Sequence, residues 1–146
     1  MTQILFYKSE PPYGFLNNFA PTKIYVFDRW WRNVEAAYQS RKTVIPEEVD
    51  AIWDAEKPRQ ARDLGQKVTL IAYWDEIKDL AMYSCVLAKF TQHHDLLVKL
   101  LATGDAEIVE DSPIDSYWGW GKDHTGKNKL GQILMEIRGE LKGYNG

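Results

Sequence analysis

Leu130, Ile133, Leu134, Ile137 and Leu141 recur at i, i+3, i+4, i+7 and i+11. That spacing sets five apolar side chains on one face of a helix, which must be buried. Immediately upstream, Asp115, Tyr117, Trp118 and Trp120 lie among Gly119, Gly121 and Gly126. An obligatory core helix is therefore entered from an aromatic, glycine-rich loop, and any fold of this chain has to seat both. Asn128 is the expected N-cap. The first-turn N–H groups lack partners within the helix and are expected to favour an anion such as phosphate. Tryptophan in such a loop has two readings: the wall of a pocket for a flat, phosphorylated ligand, or rings tucked under the core.

A chain of 146 residues suits one domain, 1–146, with a single core. An aromatic content of 13%, with six Trp, is high, and such rings either bury large areas or stack on planar ligands. The net charge of −3 argues against a general polyanion-binding surface and leaves a local basic pocket open. Cys85 is the sole cysteine, so neither a disulfide framework nor a cysteine zinc site is available, and no metal or other cofactor is expected. Met1 to Phe6 is too short for the apolar core of a signal peptide. No run reaches the ~18 apolar residues of a membrane span. A cytoplasmic location without membrane contact is expected.

Ile4 to Tyr7 predicts a first strand. The stretch from Tyr13 to Phe19 has no clean period and reads as an ordered loop, where Asn17 and Asn18 satisfy backbone groups or face a ligand. Two β-rich runs around Asp28-Arg29 predict a hairpin. Asn33 is the expected N-cap of a helix over Val34 to Lys42, with Glu35 in its first turn. Glu35, Gln39 and Lys42 form one stripe of that helix. Such a stripe is usually a solvated face, and the alternative is a polar face lining a cleft, which Trp30 and Trp31 would close on one side.

Pro46 and Pro58 each open a helix at the N1 position, and Gly65 reads as the stop of the second. Arg59, Arg62 and Lys67 cluster there as solvated surface or as a phosphate site. Trp74 to Phe90 is a longer helix with Ile77, Ala81, Ser84, Cys85 and Ala88 on one face, widened by Leu80 and Leu87. Cys85 reads as a small buried hydrophobe. His93 and His94 begin another helix, with Leu97 and Leu101 inward, and Ala106 to Val109 predicts a short strand. Strands and helices do not alternate. The expected class is α+β, helix-rich, with a small antiparallel or mixed sheet.

The loop lacks the GxxxxGK[ST] and GxGxxG spacings, and no GxSxG or HExxH occurs. What remains is a pair of carboxylates, Glu35 and Asp115, together with Lys42, abundant tryptophan and a helix N-terminus. That set suits cleavage of a glycosidic bond in a ribose phosphate. A carboxylate stabilises the oxocarbenium-like centre or activates water, an acid assists the departing nitrogen, and aromatic walls exclude water.

The segments YGFLNNF (13–19), WRNVEAAYQSRK (31–42), PRQARDLG (58–65), AKF (88–90), LLATGDAEIVE (100–110) and DSYWGWGKDHTGKNKLGQILMEIR (115–138) resemble the NADAR, or YbiA-like, family. The resemblance implies a YbiA-like fold and hydrolysis of N-glycosidic bonds to ribose. One implied activity removes ADP-ribose from guanine in nucleic acid, beside an ADP-ribosyltransferase toxin encoded nearby. Another cleaves ribosylamino-pyrimidinone phosphates of riboflavin biosynthesis, releasing ribose 5-phosphate. A different class is a module that binds ADP-ribose or NAD without cleaving it. With this resemblance, Glu35, Lys42 and Asp115 are the expected catalytic residues. Lys42 either attacks C1′ as an amine or neutralises a phosphate while a carboxylate activates water. Asn17, Phe19, Trp31, Gln39, Trp118, Gly119 and Asn128 are expected to hold sugar and base. Arg59, Lys67 and the backbone near Gly126 are expected at the phosphate, with Arg138 bracing the loop.

Overall fold

In chain order the elements are β1 (Gln3–Phe6), a 3₁₀ turn (Gly14–Leu16), β2 (Ile24–Val26), β3 (Arg29–Trp31), α1 (Val34–Ser40), α2 (Pro46–Asp54), α3 (Pro58–Gly65), α4 (Trp74–Gln92), α5 (His94–Ala102), β4 (Glu107–Glu110) and α6 (Lys129–Glu140). This computed structural model describes residues 2–144; Met1, Asn145 and Gly146, which the single-domain expectation also spans, lie outside the described residues. The helix-rich α+β composition is as expected, with the strands paired as two separate ribbons, β1–β4 and β2–β3. The chain divides into two compact units. One is Met1–Asn17 with Phe90–Gly146, and the other is Asn18–Lys89.

In the first unit β1 and β4 run parallel, with Ile4 opposite Ile108 and Phe6 opposite Glu110. Ile4, Phe6, Ile108 and Val109 are buried. Helix α6 packs on β4 and buries Leu130, Ile133, Leu134, Ile137 and Leu141, the whole apolar stripe. The approach is close because residue 131 is glycine: a Cβ there would stand 2.1 Å from the Ile108 carbonyl oxygen. Arg138 does not brace the aromatic loop. Its guanidinium donates to Thr103 Oγ1 at 3.0 Å, at the C-cap of α5. Helix α5 turns Leu97 and Leu100 inward and leaves Leu101 only half-buried, so its inward pair is spaced i, i+3.

In the second unit β2 and β3 form the expected hairpin, with the link at Phe27-Asp28, one residue earlier than Asp28-Arg29. Both link residues have positive φ, 56° and 66°. A two-residue link of the type I′ class demands this, because its twist matches that of the strands. Phe27 is an unusual occupant, and the Arg41 guanidinium covers its ring at 4.3 Å. Helices α2 and α3 both begin on proline, and α1 packs against each of them.

The long helix α4 buries the expected face and widens it on another side than expected. Ala81, Cys85 and Ala88 are inside, but Leu80 is 65% exposed and Met82, Val86 and Lys89 are buried instead. Burial pushes the Lys89 ammonium down to about 7, because an apolar surround penalises the charged form. Among the described residues no helix is long and apolar enough to cross a membrane.

Candidate active site

Helix α1 is only seven residues long, yet every one of them is buried. Its first turn is satisfied from two sides. The Glu35 N–H donates to the Asn18 carbonyl at 3.2 Å, and Asn33, the N-cap, accepts from the Ala36 N–H at 2.8 Å. The Glu35 and Gln39 side chains, which pattern alone would assign to a solvated face, are 8% and 4% exposed. The Gln39 amide donates through Nε2 to Glu35 Oε2 at 2.7 Å. A carboxylate this enclosed needs such donors, since water no longer supplies them.

The helix ends at Ser40, so Lys42 sits in the turn beyond it and not on the helix. The Ile71 N–H takes its carbonyl at 2.9 Å, which ties the segment after α3 to this turn. The same segment is held at Glu48, which accepts from Thr43 Oγ1 at 2.5 Å and from the Thr69 N–H at 3.0 Å. The half-buried Lys42 Nζ lies 5.9 Å from the ring centres of both Tyr38 and Trp74. Those two rings meet at 5.3 Å, tilted by 55°. Burial lowers the Lys42 ammonium from its ordinary value; Glu35 draws it back up and Arg62 pushes it further down. A carboxylate, an amine and a guanidinium are thus electrostatically coupled around one turn. Burial makes the charged form of this lysine less favourable than in water, while the carboxylate favours it. Cys85, also under the influence of Glu35, has its thiol pushed up by burial and is no rival nucleophile.

The coupling makes a signed prediction. A reaction through the neutral amine speeds up as pH rises through the Lys42 titration. Arg62→Gln removes the cation that holds that titration down, so the rising limb of the pH–rate profile is expected to move to higher pH. A profile of kcat/KM against pH in which the limb stays still would show that Lys42 does not react as a free amine.

In the first unit the loop from 111 to 128 is built differently from the expectation. The helix N-terminus is not open to an anion. The Lys129 and Leu130 N–H groups donate to the Tyr117 and Trp118 carbonyls at 2.9 and 3.0 Å, and the Gly126 N–H donates to the Trp120 carbonyl at 2.8 Å. The loop has closed on the groups that a phosphate would have used. Asn128 is left-handed, with φ 52°, and its side chain makes no N-cap bond. Its Nδ2 donates to the Ile108 carbonyl and its Oδ1 accepts from the Glu110 N–H, each at 2.9 Å, so the amide clamps β4. Asp115, expected as a carboxylate that activates water, accepts the Tyr117 and Trp118 N–H groups through Oδ1 at 2.9 and 2.8 Å. It shapes the loop. Trp118 is half-buried and meets Tyr117 edge-on at 4.9 Å, while Trp120 stacks on His124 at 4.0 Å. At Gly119 a Cβ would stand 2.7 Å from Glu110 Oε2, so that glycine serves close packing.

The other candidates vary. Asn17 is half-buried and its amide donates to the Tyr7 carbonyl. Phe19 is half-buried. Trp31 is 2% exposed and donates to the Val26 carbonyl inside the hairpin, so it holds structure; Trp30, 57% exposed, is the open ring. Arg59 and Lys67 are exposed, and it is Arg62, from the same basic cluster, whose charge reaches Lys42. Tyr38 and Trp74 were not foreseen beside Lys42, and Arg62 was foreseen only as part of the basic cluster. Tyr38 carried a signal, standing four residues before Lys42 in the same predicted helix, whereas Trp74 carried none.

A family model described as the NADAR domain matches residues 5–142. The chain belongs to the NADAR family. This NADAR protein is 41% identical over 95% of its length to N-glycosidase Npun_R5314 of Nostoc punctiforme, 92% of which is covered. It is 36% identical to N-glycosidase YbiA of Escherichia coli, over 96% of this chain and 89% of that one. The NMR structure of that protein superposes with a TM-score of 0.90 at 35% identity, covering 99% of this chain and 89% of that chain. A Vibrio vulnificus protein named riboflavin biosynthesis protein VVA0006 is 37% identical over 95% of this chain, which spans 38% of its length. The NADAR protein is accordingly an enzyme of the N-glycosidase class, and its substrate is a glycoside.

Proposed function

We propose that this enzyme hydrolyses the bond between C1′ of a 5′-phosphorylated ribose and an exocyclic amino nitrogen of a flat heterocycle. The observation that carries the reading is the amine of Lys42, its charge destabilised by burial, with the Glu35 carboxylate acting on it. An exocyclic glycosylamine opens by breaking C1′–O4′, which leaves a C1′=N imine and a hydroxyl at C4′. The Lys42 amine adds to C1′, the heterocyclic amine departs with a proton delivered by Glu35, and water hydrolyses the lysine imine to release the free sugar phosphate. Two proton transfers of opposite sense suit one enclosed carboxylate.

Two substrates share this linkage. ADP-ribose on guanine in nucleic acid is the one put first by the sequence reading. The name of the Vibrio relative favours the other, a ribosylamino-pyrimidinone phosphate of the riboflavin route. The net charge of −3 also suits a small phosphate better than a long polyanion. Both substrates are to be offered to the enzyme with borohydride present. The expected result is inactivation with a reduced sugar adduct on Lys42, and faster turnover of one substrate identifies the class. Full turnover with no trapped adduct would remove the amine mechanism and leave Glu35 activating water directly.

A further inference from the structure

Gly65 has a role that its position in the chain does not announce. It reads as a helix stop, and α3 does end on it, but Gly65 is not among the positive-φ residues and the C-cap, Gln66, is still right-handed at φ −74°. No left-handed backbone requires a glycine there. What requires it is space: a Cβ at residue 65 would lie 2.0 Å from Gln39 Oε1, 2.7 Å from Cδ and 2.9 Å from Cβ of the same side chain. The Gln39 amide is therefore laid flat on the Gly65 backbone where α1 and α3 pack together.

The two ends of that amide are unequal. Nε2 donates to Glu35 Oε2 at 2.7 Å, while Oε1 is buried with no hydrogen-bond partner. It lies on the side of Gly65 where a Cβ would stand. Burying an acceptor in this way costs free energy. The flipped amide would be worse, because it would set an oxygen against the carboxylate and waste both N–H groups. Glu35 thus dictates the orientation, and the empty side of Gly65 permits it.

We propose that Gly65 is a positioning residue for Glu35, acting through Gln39, so that α3 determines where the reactive carboxylate points. The inference rests on Glu35 being the proton shuttle of the proposed reaction. A methyl group at residue 65 ejects the Gln39 side chain, and Glu35 loses an N–H donor and a fixed rotamer. Gln39 is then an anchor for the carboxylate, in place of the sugar or base contact that its position in the stripe had suggested.

The test compares wild type with Gly65→Ala, Gln39→Ala and the double variant. Each single change is expected to lower kcat ~10- to 100-fold with KM nearly unchanged, as a small misplacement of a reacting group does. The double variant should be no slower than the slower single, because both act on one contact. Carbon-13 labelling of the Glu carboxyls gives a readout that needs no activity. The Glu35 titration is expected to move to higher pH in both single variants, since a donor to the ionised form is gone. Losses that multiply in the double variant, or a Glu35 titration unmoved by Gly65→Ala, would overturn the proposal. If Gly65→Ala alone does not fold, the double variant should, because removing Gln39 clears the space; failure of both to fold overturns it as well. An active Glu35→Gln enzyme would sink the proposed reaction while leaving the carboxyl titration to judge Gly65 by itself.

Discussion

Lys42→Met is expected to abolish borohydride trapping and to lower kcat by at least about a thousandfold, roughly 4 kcal/mol of transition-state stabilisation. The protein itself should lose little stability, since methionine keeps an unbranched side chain beside Tyr38 and Trp74 and removes an ammonium that burial disfavours. The informative partner is Lys42→Arg. Arginine preserves the charge and binds phosphate at least as well, but it cannot be a neutral amine near physiological pH. If Lys42 is the nucleophile, both variants are equally dead. Should Lys42→Arg keep most of the wild-type kcat, the residue neutralises a phosphate and the covalent mechanism is wrong. Steady-state rates on the two proposed substrates, with melting curves for all three proteins, decide it.

Gly131→Ala is expected to destabilise the fold by roughly 3–5 kcal/mol, by overpacking and by stranding buried polar groups. The new methyl would meet the Ile108 carbonyl oxygen at 2.1 Å and the Asn128 side chain at 2.3 and 2.5 Å. Either α6 lifts off β4, or Asn128 gives up its bonds to the Ile108 carbonyl and the Glu110 N–H. Helix propensity pushes the other way, since alanine in a helix interior is better than glycine by ~1 kcal/mol. Gly139 lies in the same helix with nothing within 4 Å of its own Cβ position, so Gly139→Ala should stabilise, by less than that amount because it is one residue from the helix end. Urea midpoints for the two variants are expected to move in opposite directions. A Gly131→Ala midpoint at or above wild type would refute the close α6–β4 contact.

Much of the local architecture was readable because its causes are local. Proline at N1 starts α2 and α3, and Asn33 caps α1 with the bond expected of it. The stripe from Leu130 to Leu141 is buried in full. The hairpin was legible to within one residue; the error arose because a two-residue link needs two positive φ values, and no glycine marked where they fall. Helix α4 was placed correctly in the chain and with Ala81, Cys85 and Ala88 inward, but the flank that widens this face was misjudged. Its apolar residues lie on more than one side, and periodicity could not foresee that Leu80 would stay in solvent while Lys89 went inside.

The candidate site divides in the same way. The spacing of Glu35 and Gln39 follows from helix geometry, so their shared edge could be read off the chain, whereas Lys42 lies past the helix end at Ser40, off the stripe expected of it. Whether that edge met water or protein could not, because burial depends on what α2 and α3 bring against it. The helix N-terminus at Asn128 looked open to phosphate for a comparable reason: its unpaired N–H groups are a local fact, but the carbonyls of Tyr117 and Trp118 that fill them arrive from a loop folded back on itself.

By itself, then, the amino-acid order determined the element types, their starts and which side chains could share a face, since these follow from dihedral preferences and residue spacing over one or two turns. Only the tertiary structure decided that Glu35 is enclosed, that burial and Arg62 shift Lys42, and that Gly65 and Gly131 are required for space. Burial, charge and steric contact each depend on segments far apart in the chain being brought within a few ångströms of one another.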